Sequence, residues 1–381
     1  MKYTVPIVTM HNRLTFLALR QQVREHELAS QRSIATRLAR LLGCSYQELQ
    51  ALPRVRRDGA VGYAVPNDTI TSIADASNLG IHSEHDLFGG VVPHPFVAGK
   101  TITHPLIAAN AAAPSGWQPQ FAEQVRHVVL PGLSAFSVGD LHAAATQLLR
   151  DGEVRIKLAS GIGGSGQSVA RDETQLRAQL AILDPVEIER NGAVVERNLA
   201  VVRTDSVGEL RVGNLVASYV GSQCLTQSRR GHPVYGGSSI KVVRGGLDEL
   251  HRLTCEPSAR HSIEQARVYH GAALANFDGM ILSRCNYDVA QGRDRSGRPY
   301  GGVLEQSWRM GGASAAEVAA LEALCSDPTA TVVHAATVEV HGPDAAVPEG
   351  ATVSFSGFDD ELGPITKYSY LIRDEAVRTE N

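Results

Sequence analysis

The sequence predicts a mixed α/β (α+β) protein with more than one domain. Its 381 residues are 43% hydrophobic, which suits two or three domains, or one large one, with a proper core. Segments with apolar residues at helical spacing, such as Val138–Leu149 and Pro257–Leu274, alternate with short strand-like segments, such as Val154–Leu158 and Ala193–Glu196. Such alternation is typical of helices packed on sheets.

Charge and cysteine content narrow the class of protein. The net charge is −4 with both signs interspersed, which argues against a broad nucleic-acid surface. The five cysteines are scattered without a Cys-x-x-Cys pair, so we expect a reduced, cytoplasmic protein without a zinc site. Residues 1–6 do not resemble a signal peptide, and no apolar run is long enough to span a membrane. The sequence leaves a homo-oligomer open.

The N-terminal part predicts a small α/β domain. Apolar residues at roughly helical spacing predict helices within Arg13–Gln50, with Gly43 ending the main one. Ser45–Glu48 matches a capping box for a second, short helix. Asn67–Thr69 suits the start of a further helix that continues to Ala76.

A glycine-rich segment in the middle of the chain predicts a phosphate-binding flap. Lys157 lies on the strand Val154–Leu158, and the glycines that follow are Gly161, Gly163, Gly164 and Gly166. Because the next helical pattern begins only at Asp172, strand–loop–strand fits better than a dinucleotide loop that opens a helix. Glycine backbone can approach phosphates closely because no Cβ intervenes. An ordinary surface hairpin with one exposed lysine is the alternative.

Two acidic strands predict a metal site. Asp288 and Glu305 occupy short strands that a polar, glycine-bearing connection joins into a hairpin, and Arg309 follows the second strand. Carboxylates that face each other across a hairpin suit a magnesium ion that bridges phosphates. The alternative is a pair of solvated acids, or of acids paired with nearby arginines.

In this order the parts resemble the ATP-grasp superfamily over roughly residues 115–345. The similar features are Lys157 with its glycine loop, the segment Val194–Leu199 as the hinge, and Asp288 and Glu305 with the trailing Arg309. In detail the chain is most similar to an uncharacterised proteobacterial family of unknown function. The resemblance implies a nucleotide between two α+β lobes, preceded by a small α/β domain. We expect domains at 1–112, 113–200 and 201–381.

The resemblance also implies ATP and Mg²⁺ (or Mn²⁺) as cofactors and an ATP-dependent ligase reaction. A small-molecule carboxylate would become an acyl phosphate that an amine or other nucleophile attacks. The implied roles are as follows: phosphate contacts from Lys157, Gly163, Gly164 and Gly166, with a further basic residue that is either Lys100 or Arg126; adenine contacts from Glu196 and Leu199; metal ligands Asp288, Glu305 and Ser307; and a substrate contact from Arg309.

Three points remain open at the level of sequence. Lys241 belongs to a basic, glycine-bearing cluster that either reaches phosphates or an acidic substrate, or is an ordinary solvated cluster. Ser307 stands where the superfamily usually has Asn, and a hydroxyl is a weaker magnesium ligand than an amide oxygen. The alternatives to a ligase are a small-molecule kinase on the same scaffold and a nucleotide-binding regulatory protein without turnover.

Overall fold

The computed structural model describes residues 9–20, 23–50, 61–159, 161, 166–227 and 233–373. Its strands form three sheets that matter for the site: a parallel N-terminal sheet, a four-stranded flap sheet and an eight-stranded large sheet. No helix within the described ranges is long and apolar enough to cross a membrane.

The N-terminal sheet has three parallel strands in the order β2-β1-β3. Its elements and their neighbours are β1 (Arg13–Leu17), α1 (Glu25–Leu42), β2 (Ser45–Leu49), β3 (Tyr63–Pro66), α2 (Ile73–Asn78) and the short strand β4 (Gly90–Val91). Two 3₁₀ turns, Pro95–Ala98 and Lys100–Thr103, lead out of this region. Because β1 and β3 are parallel, the polar residues that follow them lie at the same edge of the sheet.

Three expectations for this region are wrong. Arg13–Leu17 is a strand and not part of a helix. The sequence could not show this, because a strand that is buried on both faces lacks the apolar–polar alternation that separates it from a buried helix. Ser45–Leu49 is also a strand, paired with β1, and the Ser45–Glu48 capping box does not form. Helix α2 begins after Ser72, whose hydroxyl accepts from the Asp75 N–H, so it starts later than Asn67–Thr69.

The flap sheet has the order β5-β8-β6-β7, and all its neighbours are antiparallel. Its elements are α3 (Pro119–Val125), β5 (Gly132–Ala135), α4 (Val138–Leu149), β6 (Val154–Leu158), β7 (Gln167–Ala170), α5 (Glu173–Leu180), α6 (Pro185–Asn191) and β8 (Ala193–Arg197). Strands β6 and β7 form the predicted strand–loop–strand flap, with Lys157 opposite Gln167. Asp172 caps α5 as the sequence predicts.

The large sheet has the order β14-β13-β9-β10-β11-β15-β17-β16. Its elements are β9 (Val201–Val212), β10 (Leu215–Gln227), β11 (Pro233–Arg244), α7 (Leu247–Leu253), α8 (Pro257–Asn276), the short β12 (Ile281–Leu282), β13 (Arg284–Arg293), β14 (Pro299–Ser307), α9 (Ser314–Ser326), β15 (Val332–His341), β16 (Thr352–Asp359) and β17 (Gly363–Leu371). One apolar cluster joins one sheet face to α1 and α9, and a second joins the other face to α3 and α8. The predicted acidic hairpin is β13–β14.

Candidate functional site

The acidic hairpin places Asp288 and Glu305 directly opposite each other. Residues paired across antiparallel strands share a face of the sheet, so the two carboxylates lie side by side. Asp288 Oδ1 accepts hydrogen bonds from Ser206 (2.9 Å), Gln223 (3.1 Å) and Asn286 (3.1 Å). Burial, and then the neighbouring Glu305 carboxylate, raise the pKa of Asp288. Two acids held this close are destabilised unless a cation joins them.

Lys100 is the basic residue that meets this hairpin. Its Nζ lies 2.8 Å from Glu305 Oε2 and donates to the Gly161 carbonyl at 2.9 Å, at the start of the flap loop. Lys100 is 5% exposed. Arg126, the other candidate, lies at the end of α3 with its side chain 75% exposed and 3.7 Å from Glu123. The geometry therefore brings Lys100 to the acids and leaves Arg126 at the surface.

Lys157 is buried and paired with Glu196. Its Nζ lies 2.5 Å from Glu196 Oε1, while His104 Nε2 lies 3.5 Å from Oε2. Burial alone would raise the pKa of Glu196, but the Lys157 ammonium and His104 lower it to about 2. Glu196 pairs on both sides within the flap sheet, with Gly132 and with Arg155. The Glu196 carboxylate, which we expected to contact adenine, therefore holds Lys157 in this structure.

Leu199, the second expected adenine contact, lies in a small apolar cluster between the flap sheet and the large sheet. Its partners are Leu130 and Ala290, with Tyr300 and Leu304 packed against them. Ala290 is two residues beyond Asp288 and so shares its face of β13. The cluster joins the end of β8 to the acidic hairpin, and its apolar surface suits a flat aromatic ring.

A cavity of about 380 Å³ lies beside the hairpin and is lined by residues of all three sheets or their loops, including Arg20, Asp68, Lys100, Glu305, Ser307 and Arg309. Asp68 lies between two guanidinium groups: Arg309 Nε is 3.6 Å from Oδ1, and Arg20 Nε is 3.7 Å from Oδ2. Burial lowers the pKa of Arg309. Arg20 and Asp68 were not predicted, although each lies within three residues of the end of a strand of the parallel sheet, where ligands commonly bind.

Lys241 does not reach this cavity. The row of paired residues through Asp288 runs by way of Ser206 and Gly221 to Ile240, so Lys241 belongs to the adjacent row and points to the opposite face. There its Nζ donates to the Leu253 carbonyl at 3.0 Å, at the end of α7. We therefore remove Lys241 from the candidate catalytic residues.

A buried network of hydrogen bonds around Arg284 and Glu317 holds the start of β13 and the end of β14. Arg284 donates to both carboxylate oxygens of Glu317, at 3.1 Å and 2.6 Å, and its Nη1 donates to the Ser307 and Arg309 carbonyls at 3.1 Å and 2.5 Å. The Tyr219 hydroxyl lies 2.7 Å from Glu317 Oε1 and 2.9 Å from Asn286 Oδ1. Sequence reasoning missed these residues, since a buried Glu–Arg pair distant in sequence leaves no local pattern.

The remaining expected ligands are the flap glycines and Ser307. Gly163 and Gly164 lie outside the described residues, whereas Gly166 has φ +66°, a backbone conformation that favours glycine. Ser307 ends β14 two residues after Glu305, on the same face. Within the described ranges no group of three or more His, Cys, Asp or Glu side chains converges as a metal site. A cation here would have two carboxylates and would complete its shell with other oxygens.

Comparisons with known proteins agree with this architecture. The family model described as "Protein of unknown function (DUF3182)" matches residues 15–369. No curated protein shows significant similarity to the chain. A phosphoribosylamine–glycine ligase from Thermotoga maritima is similar in structure, with TM-score 0.51, 14% identity and coverage of 96% of this chain and 94% of the ligase. A pyruvate carboxylase from Rhizobium etli is also similar in structure, with TM-score 0.52, 14% identity and coverage of 97% of this chain and 36% of the carboxylase. The fold is that of the ATP-grasp proteins, as the sequence predicts.

Proposed function

The chain belongs to the DUF3182 family, a family of unknown function, and we propose that it is an ATP- and magnesium-dependent ligase that activates a small carboxylate as an acyl phosphate. The observation that carries this proposal is the pairing of Asp288 with Glu305 beside a cavity that Lys100 and Arg309 also line. The ATP-grasp fold is consistent with it, since the two similar proteins named above are a ligase and a carboxylase.

The donor set of the hairpin fits Mg²⁺ better than a softer metal. Asp288 and Glu305 offer carboxylate oxygens, Ser307 offers a hydroxyl, and magnesium prefers oxygen ligands. Magnesium usually takes only one or two protein carboxylates and completes its shell with phosphate oxygens and water. The hydrogen bonds that hold Asp288 all use Oδ1. These bonds orient the carboxylate that would hold the cation, and the cation would offset charge that develops on the transferred phosphoryl group.

Lys100 and Glu305 form an ion pair that nucleotide binding would exchange. Their atoms are 2.8 Å apart, and the Glu305 side chain is 36% exposed, so the pair is open to the cavity. If Glu305 held the cation, Lys100 would lose its partner and could donate to a phosphate oxygen instead. Each charge keeps a counter-charge, so the exchange avoids a buried, unpaired ammonium group.

The rest of the nucleotide would lie between the flap sheet and the large sheet. Lys157, fixed by Glu196, would contact a phosphate under the glycine flap that includes Gly166. Adenine would lie against Leu199 and the apolar cluster around it. This arrangement keeps the expected role of Leu199 and moves the polar adenine contacts from Glu196 to hinge backbone after β8.

Arg309 would bind the substrate carboxylate or its acyl phosphate. A guanidinium group matches both in a forked geometry. The Arg284 contact to the Arg309 carbonyl, at 2.5 Å, fixes the backbone from which this side chain extends. Arg20 and Asp68 would complete the substrate side of the cavity. No nucleophilic side chain is needed, because the acyl phosphate is attacked by the second substrate.

The test is ADP release from MgATP in the presence of pooled carboxylic acids and amines. ADP release that requires both an acid and an amine is expected for a ligase, whereas release with one acceptor and a stable phosphorylated product would indicate a kinase. Glu305→Gln should abolish turnover and keep the fold, because the amide cannot neutralise the cation. Glu264→Gln, an exposed acid on α8, is the matched control and should retain activity. No calorimetric binding of MgATP to the wild type would refute the proposal.

A further inference from the structure

Asn286 lies beside the acidic pair and was not among the expected ligands. Its Cα partner across the hairpin is Ser307, and it is two residues before Asp288, so all three side chains share one face. Side chains opposite each other on antiparallel strands have Cβ atoms about 5 Å apart. Asn286 is 8% exposed. A buried primary amide therefore stands next to the hydroxyl of Ser307 and the carboxylate of Asp288.

The contacts of this amide allow two orientations. Asn286 Nδ2 donates to Asp288 Oδ1 at 3.1 Å, and Oδ1 lies 2.9 Å from the Tyr219 hydroxyl. The oxygen and nitrogen of an amide are distinguished only by the hydrogen bonds they make. Tyr219 can serve either group, because a phenol has one proton to donate and lone pairs to accept.

The proton count around Tyr219 shows how each orientation is satisfied. The hydroxyl has two acceptors within reach, Asn286 Oδ1 at 2.9 Å and Glu317 Oε1 at 2.7 Å, but only one proton. If the proton goes to Asn286, the amide nitrogen faces Asp288. If the proton goes to Glu317, the amide turns: Nδ2 donates to the Tyr219 oxygen and Oδ1 faces Asp288. Glu317 Oε1 stays available to accept this hydrogen bond, because Arg284 fixes the Glu317 carboxylate at 2.6 Å.

In the turned orientation two acceptor oxygens face each other, and only a cation or a proton between them makes this favourable. We propose that Asn286 supplies an amide-oxygen ligand to the divalent cation held by Asp288 and Glu305, with Tyr219 and Glu317 accommodating the turned amide. This inference rests on the proposed function. It also gives the hairpin an amide ligand although position 307 is a serine, because Asn286 reaches the same region from the opposite strand.

The experiment measures Mn²⁺ binding in the presence of ATP, from the electron paramagnetic resonance signal of free Mn²⁺, with the full chain. Asn286→Ala should weaken Mn²⁺ affinity about tenfold or more, the usual scale for losing a group that a metal site depends on. Adding Ser307→Asn to that variant should bring the affinity back to within about threefold of the wild type, because the amide then reaches the cation from the other strand.

Gln223→Ala is the matched control. Gln223 donates to the same Asp288 oxygen at the same 3.1 Å, so a loss of affinity that arises only from freeing Asp288 would appear in this variant too. Asn286→Leu, which leaves Tyr219 free to donate to Glu317, replaces the alanine variant if that one unfolds. Wild-type affinity in the Asn286 variants, an equal loss in Gln223→Ala, or no recovery with Ser307→Asn would each overturn the inference. Failure of the wild type to bind Mn²⁺ and ATP would instead refute the proposed function.

Discussion

The Glu196–Lys157 pair gives the sharpest test of how the flap lobe is held. Glu196 is 1% exposed and Lys157 5% exposed, with 2.5 Å between their charged atoms. Glu196→Gln keeps the shape of the side chain and removes its charge. The Lys157 ammonium then stays buried without a counterion, and His104 loses the carboxylate that faces it.

The lowered pKa of Glu196 and the usual cost of breaking a buried ion pair give the same size for the effect. The fall in the pKa of Glu196 from 4.5 to about 2 corresponds to about 3 kcal/mol of stability, at about 1.4 kcal/mol for each pH unit. Removing one partner of a buried ion pair generally costs about 3–5 kcal/mol. We therefore expect Glu196→Gln to lower the free energy of unfolding by about 3 kcal/mol at pH 7. Glu264→Gln, which removes a surface ion pair with Arg267, should cost less than about 1 kcal/mol.

Urea unfolding followed by tryptophan fluorescence measures both variants. The folded-state pKa of Glu196 is below its unfolded value, so its contribution is complete above pH 4.5 and is lost as the pH falls from 4.5 towards 2. The gap between wild type and Glu196→Gln should shrink over that window. A gap below about 1 kcal/mol at pH 7 would refute the buried-pair reasoning. Full stability combined with lost nucleotide affinity would favour the earlier adenine role for Glu196.

Three further predictions follow from single contacts. Lys100→Met should weaken MgATP binding about tenfold or more in calorimetry, because it removes a charge-assisted hydrogen bond, while Arg126→Met should leave binding unchanged. Burial lowers the pKa of His26 to about 4, so the free energy of unfolding of the wild type should fall as the pH drops from 6.5 to 4. His26→Leu should reduce this loss by at most about 3 kcal/mol in urea titrations. The same pH dependence in both proteins would contradict this prediction. Gly302→Ala should destabilise the protein by about 1–3 kcal/mol, because the added Cβ would lie 2.6 Å from the Val129 backbone. Gly271→Ala on α8 meets open space and should stabilise the protein by up to about 1 kcal/mol. Thermal unfolding of the two variants distinguishes these outcomes.

The acidic hairpin and the flap could be predicted because their signals are local. Asp288 and Glu305 each interrupt a strand pattern, and the glycines before Gln167 stand between two short strand-like segments of the sequence. A choice such as Lys100 against Arg126 could not be made from sequence, since each lies outside the motifs. It depended on which side chain packs under Glu305, and only the fold determines that.

The predictions for Lys241 and for β1 were wrong for different physical reasons. Lys241 has the flanking apolar residues of a functional strand lysine, but its face of the sheet is set by register across four strands, and a shift of one residue reverses it. Strand β1 is buried on both faces, so its residues lack the alternation that would mark a strand. Asn286 was overlooked because its importance arises from Tyr219 and Glu317, which are distant in sequence.

The site contains two lysine–carboxylate pairs that differ in one respect. Lys157 and Glu196 are both buried within the flap sheet, and separating them would leave a charge that neither water nor another side chain can reach easily. Lys100 and Glu305 meet at the cavity, and the acid is 36% exposed, so a cation and a phosphate can each take one member. It follows that one lysine is a fixed positive charge, whereas the other would become available only if the hairpin binds the proposed metal. Nucleotide and metal should therefore bind cooperatively, and this cooperativity should be lost in Glu305→Gln but retained in Glu264→Gln.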